Sequence, residues 1–223
     1  MGNIMDYINW RGDLSFEQSK FNEVDNLILA CFSYVNLDGI PAVAEQKGIE
    51  LKNLAEEFMK LHTMEELEAD KSFIRLAPFM MLEMAETNRF GNSVIRNYVN
   101  EIVTEAEQQF AAVEIVLEDG TSYVSFRGTD DTIIGWKEDF NLSTGVVPAQ
   151  ERAVEYVRRV SENTSGMLRV GGHSKGGNLA IYGAVMCKEA HEKIMEVYSN
   201  DGPGFSKEFQ ELPETEVMMD KII

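Results

Sequence analysis

The sequence predicts an α/β protein: a mostly parallel sheet flanked by helices, preceded by a helical N-terminal region. Three observations carry this reading. Apolar residues in the first ninety positions recur at helical spacing. From residue 122 onward strand-like and helix-like segments alternate, the pattern of parallel strands joined by crossover helices. Finally, Val170-Gly171-Gly172-His173-Ser174-Lys175-Gly176-Gly177-Asn178 reads as a strand running through a glycine-rich turn straight into a helix.

In chain order, Ser15-Phe16-Glu17-Gln18 has the form of a capping box, and Leu27, Ile28, Cys31, Phe32 and Val35 supply one apolar face until Asp38-Gly39 breaks it. Residues 51–61 repeat the pattern through Leu54, Phe58 and Leu61. Residues 73–86 form a third expected helix, with Pro78 in its first turn or kinking it. The methionines of that segment suit core packing better than an adaptable substrate-facing surface. Texture changes near Asn97. Residues 98–104 alternate, and the runs 112–117 and 122–127 flank Asp119-Gly120, a tight-hairpin signal. A helix over 148–162 has Pro148 at its first position and Ala149, Ala153, Tyr156, Val157 and Val160 on one face. A strand over 167–173, a helix over 177–191 and a strand over 194–199 follow, closed by Asn200-Asp201-Gly202-Pro203-Gly204. Two regions are expected: a helical region over 1–92, a candidate cap or lid, and an α/β core over 93–223.

Length and charge narrow the function. A chain of 223 residues suits one medium domain with an appendage. The net charge of −18, from 38 acidic and 20 basic residues, argues against a nucleic-acid partner and against electrostatic attachment to an anionic membrane. A lipid or other small ester remains a possible substrate. Cys31 and Cys187 read as buried thiols in a reducing compartment. The first residues lack a basic and an apolar leader region, and no apolar run reaches the length of a membrane span. A cytoplasmic protein is expected, with no cofactor and no metal.

The chemistry centres on Gly172-x-Ser174-x-Gly176. On a strained strand-to-helix turn a serine hydroxyl is exposed at the sheet edge, and the helix N-terminus offers free N–H groups to a developing oxyanion. A glycine-rich turn without chemistry and a phosphate-binding loop are the alternatives. An acyl-transfer site needs two backbone donors. Lys175, after the serine, offers one; Thr129, at the strand-to-loop junction closing Phe126-Arg127-Gly128-Thr129, offers the other.

Phe126-Arg127-Gly128-Thr129, followed by Trp136-x-x-Asp139 and then by Gly172-His173-Ser174-x-Gly176-Gly177, resembles the class 3 lipases and their bacterial α/β-hydrolase relatives over residues 110–205. The resemblance implies an α/β-hydrolase fold and a serine hydrolase of lipase or esterase type. It implies further that Asp139 holds the Thr129 hydroxyl. A triad needs an acid and a base after the serine. Asp201 is the candidate acid, its rival being an aspartate that caps its own turn; Asp220 is the other acid on offer. Among the histidines, His62 lies in the helical region, His173 adjoins the serine on the other side of the turn, and His191 sits at the far end of the next helix. None is expected to serve as base. The expectation is therefore a chain shortened at its C-terminus, with the histidine beyond Ile223. A catalytically silent binding or regulatory module, and an acyltransferase or peptidase with the same nucleophile, are the competing readings.

Overall fold

A computed structural model of the chain describes residues 2–72, 74–103, 108–129 and 147–223. Its frame is one six-stranded sheet: β1 (Ile49–Glu50), β2 (Val94–Val103), β3 (Gln108–Val116), β4 (Ser122–Phe126), β5 (Leu168–His173) and β6 (Ile194–Asn200), adjacent in that order. The pairings from β1 to β4 are antiparallel, and only β4–β5 and β5–β6 are parallel. The sheet is thus mixed, which corrects the expectation of a mostly parallel one. The reason is connection length. The turn between β3 and β4, where Gly120 takes φ +82°, is far too short to hold a crossover. Whole helices separate the later strands: α6 (Pro148–Asn163) between β4 and β5, and α7 (Lys175–Met186) between β5 and β6. Residue 222 bridges Val197 in parallel along the outer edge of β6.

Helices cover both faces. On one, α1 (Ile4–Arg11), α2 (Glu23–Phe32), α3 (Leu51–Leu61) and α5 (Ala77–Ala85) bury Ile28, Leu29, Phe58, Met81 and Met84 against Ile95, Ile115, Tyr123 and Tyr198. Ala153, Val157 and Val160 of α6 and Leu179 and Val185 of α7 cover the other face, on Val124, Phe126, Val170 and Val197. Every side chain of β4 is buried, as its place between two helical layers requires. The short helix α4 (Met64–Ala69) and helix α1 escaped sequence reading; so did β1.

The helix expected behind Ser15 starts later. Asn22 is the actual cap of α2, accepting from the N–H groups of Val24 and Asp25, while the Asp25 carboxylate accepts from Asn22 N–H. The Ser15–Gln18 box does form, at 3.0 and 3.4 Å, but it closes only a turn. Arg89 gives the reason. Its guanidinium donates to the carbonyls of Leu14, Ser15, Ser19 and Lys20, which holds that segment in a non-helical path. The same guanidinium pairs with Asp25 through two bonds of 2.7 and 2.5 Å, with both side chains out of water. The expected helix over 73–86 begins at Ala77 with Pro78 in its first turn, as its missing N–H allows.

The buried phenols predict an alkaline limit to stability. Burial pushes Tyr98 up to about 12 from an ordinary 10.0, and it pushes Tyr123, Tyr156 and Tyr198 upward as well. The fold favours the neutral form. That contribution is complete below pH 10, where the unfolded chain also keeps its phenol protons, and is lost as pH rises from about 10 to about 12 and beyond. Urea midpoints followed by circular dichroism should therefore fall across that window. A midpoint unchanged up to pH 12 would contradict it.

Candidate active site

β5 delivers the chain to Ser174, which has φ 55° and ψ −130°, and α7 starts at the next residue. Such a backbone conformation costs a non-glycine residue about 1–3 kcal/mol and persists only where the surroundings enforce it. Two glycines provide the enforcement. A Cβ on Gly172 would overlap the backbone of Gly176, and one on Gly176 would overlap the carbonyl of Phe126. Strand, turn and helix therefore approach more closely than any side chain would allow. Hydrogen bonds fix the rest: Ser174 N–H donates to the Asn200 carbonyl at 2.9 Å, and Gly177 N–H donates to the Ser174 carbonyl at 2.8 Å.

The second loop leaves β4 beside this turn. Phe126 is in register with Gly172, and a Cβ on Gly128 would overlap the His173 carbonyl and the Tyr34 hydroxyl. Thr129, half-buried, is the last described residue of this segment. Arg127 anchors the loop to β2 by donating to Asn100 at 2.9 Å. The Lys175 side chain runs into the core, its ammonium donating to the Gln109 carbonyl of β3 at 2.9 Å, while its N–H lies in the first turn of α7, where N–H groups lack helical partners. Asp130, Asp131, Trp136 and Asp139 lie outside the described residues.

Asp201 follows β6 directly, exposed and at φ 55°, on the sheet edge that also carries Ser174. Its loop is bound to α7 by Asn178, which donates to the Pro203 carbonyl at 3.0 Å and accepts from Gln150 at 2.8 Å; Gln150 in turn accepts from Val147 N–H. A second relay reaches the same edge from α2. Asn26 accepts from the Tyr123 hydroxyl at 2.6 Å and donates to Asn200 at 2.9 Å, and Asn200 donates to the Gly172 carbonyl at 2.9 Å. Sequence reading missed these amides. Their residue types suggest hydrogen bonding, but the partners that link different elements stand 25 to 174 residues apart.

The three histidines have other contacts. His173 Nδ1 lies 2.9 Å from the Tyr34 hydroxyl. His191 Nε2 lies 2.9 Å from the Val185 carbonyl and must carry the proton there, since a carbonyl only accepts. The His62 ring packs on Phe58 with centroids 4.3 Å apart. Among the described residues no cluster of three or more His, Cys, Asp or Glu side chains could hold a metal ion. Both cysteines are free thiols, and burial pushes each up to about 11, so each stays protonated at neutral pH. Among the described residues no helix is long and apolar enough to cross a membrane.

Beside the turn lies an apolar cavity of about 410 Å³ between α1, α2 and α5, walled by Leu27, Cys31, Ile74, Ala77 and Met80 and bounded by Tyr34 and His173.

The family described as Mbeg1-like matches residues 84–223. No curated protein matches the chain. Among solved structures, the crystal structure of M37 lipase aligns with a TM-score of 0.49 at 14% identity, over 92% of this chain and 67% of that one.

Proposed function

The chain belongs to the Mbeg1-like family, a lipase-like family, and from that premise we propose that it is a serine hydrolase of the α/β-hydrolase type, acting on carboxylic esters. Ser174 Oγ attacks the ester carbonyl as its proton passes to a base. The N–H groups of Thr129 and Lys175 receive the oxyanion. Collapse expels the alcohol, which takes the proton back from the base, and water then releases the acid from the acyl-enzyme. Asp201 orients the base. His62, His173 and His191 each have another contact, and none of the three is assigned as the base. Residues 1–92 supply β1 and the helices over one face of the sheet, and residues 93–223 carry the proposed reacting groups. The acidic charge and the free thiols fit a cytoplasmic setting.

One observation carries this reading: the positive φ of Ser174, held between β5 and α7 with the end of β4 in contact. A turn with only a structural role has no need of a serine in that strained conformation. A second reading, a silent module that keeps the fold, is favoured by the placement of the three histidines. Fluorophosphonate labelling separates the two. The full-length protein should take up the probe at Ser174, with loss of fluoride, and peptide mapping should find the adduct on that residue. A folded full-length protein that resists the probe would leave the silent module standing.

A further inference from the structure

We propose that Asn200, held in its turn by Asn26, is the positioning residue that fixes the Ser174 turn for attack, so that helix α2 shapes catalysis without touching the substrate. The proposal rests on the hydrolase reading and adds to it a route by which the N-terminal region governs the nucleophile.

Asn200 grips the turn twice. It stands opposite His173 in the register of β5 and β6. Its main-chain carbonyl accepts from Ser174 N–H at 2.9 Å, and its side-chain amide donates to the Gly172 carbonyl at 2.9 Å. The residues on either side of His173 are therefore held by one residue of the neighbouring strand. Asp201 is bonded to Asn200 in sequence and departs at φ 55°. A single residue thus sets both where the nucleophile leaves β5 and where the proposed acid leaves β6.

Asn200 is itself held from α2. Asn26 donates to the Asn200 side-chain oxygen at 2.9 Å and accepts from the Tyr123 hydroxyl of β4 at 2.6 Å. It is 3% exposed, on a helix that also buries Ile28, Leu29 and Phe32. A leucine would serve packing there equally well. A buried amide is costly unless bonded, and once bonded it is directional, which apolar packing is not. Its bonds dock α2 in one register against β4 and β6, and through Asn200 that register reaches Gly172. The Gly172 carbonyl lies two residues before Ser174, in a turn where Gly172 and Gly176 already touch backbone. A shift there passes to the serine hydroxyl, and a misplacement of about 1 Å can cost about a hundredfold in rate. Asn26 precedes residue 84, where the family match begins, so part of the nucleophile's support lies outside the matched residues.

The test compares Asn200→Ala, Asn26→Ala and the double variant in the full-length protein, with p-nitrophenyl butanoate as substrate. Each single variant should lower kcat by about tenfold to a hundredfold and leave KM within about twofold, since neither amide meets the substrate. Because Asn26 acts through Asn200, the double variant should be no slower than Asn200→Ala, whereas independent losses would multiply. Ser125→Ala is the control. It cuts a comparable buried bond between β4 and α2, from the Ser125 hydroxyl to the Leu29 carbonyl at 2.7 Å, and should keep wild-type kcat. If circular dichroism shows either alanine variant unfolded, Asn200→Ser and Asn26→Ser make the milder cuts. Amide exchange followed by NMR reads the geometry without the chemistry. Ser174 N–H should exchange about tenfold faster in the Asn26 and Asn200 variants and at the wild-type rate in Ser125→Ala. An Asn200→Ala protein with wild-type kcat, or losses that multiply in the double variant, would overturn the proposal and leave the hydrolase reading intact. A wild-type protein that no fluorophosphonate labels, but whose Ser174 N–H loses protection in both variants, would support the grip on Ser174 and overturn the hydrolase reading instead.

Discussion

Ser174→Ala should lower ester turnover of the full-length protein by about 10⁴-fold or more, to the level left by binding and the backbone donors alone. Alanine can keep the elbow geometry, because the positive φ is imposed by Gly172 and Gly176 and not by the hydroxyl. Thermal stability should therefore hold or rise slightly while activity vanishes. That separation distinguishes a nucleophile from a structural serine. A variant that retains more than a hundredth of wild-type kcat on a short-chain p-nitrophenyl ester would remove Ser174 from the mechanism.

The largest stability effect is expected at Arg89. Arg89→Met leaves the Asp25 carboxylate in a dry site without its cation, and it strips four carbonyls of their donor. It also removes the guanidinium stacked 4.2 Å over Phe16. Breaking a buried pair by deleting one partner costs about 3–5 kcal/mol, well above the cost of losing a surface pair. Urea unfolding should show this as a lowered midpoint with an unchanged slope. The double variant Asp25→Leu/Arg89→Met should recover a good part of the loss, because no buried charge is then left alone. A single-variant loss below about 1 kcal/mol would mean that water reaches the pair. Asn26, next to Asp25 on α2, is bonded to Asn200 just before Asp201, so the single variant should also disturb the edge that carries the proposed acid.

Local chemistry made several features legible in the sequence. The Asp119-Gly120 turn needs only a residue that tolerates positive φ between two β runs, and the hairpin formed there. Helix α3 was readable from the spacing of Leu54 and Phe58 alone. The tight strand-to-helix turn at Ser174 was readable because its geometry forces glycine at two fixed offsets from the serine, a constraint contained within five residues.

The failures share the opposite property. Ser15 and Gln18 form the box their types promise, yet no helix follows, because a guanidinium more than seventy residues away holds carbonyls on both sides of them. The expectation of a mostly parallel sheet failed at its first strands, because β1, which escaped sequence reading, and β2 pair antiparallel. The amides at Asn26, Gln150, Asn178 and Asn200 are ordinary as residue types and acquire a role only when folding closes chain loops of 25 to 174 residues.

By itself, then, the sequence determined the features governed by neighbours within a few bonds: helix periodicity, the hairpin, and a strained serine framed by glycines. Tertiary structure alone decided the amide relays, the buried Arg89–Asp25 pair, and the cavity against His173. Each of these is a contact between groups far apart in the chain, and its energy exists only once the intervening segments have packed.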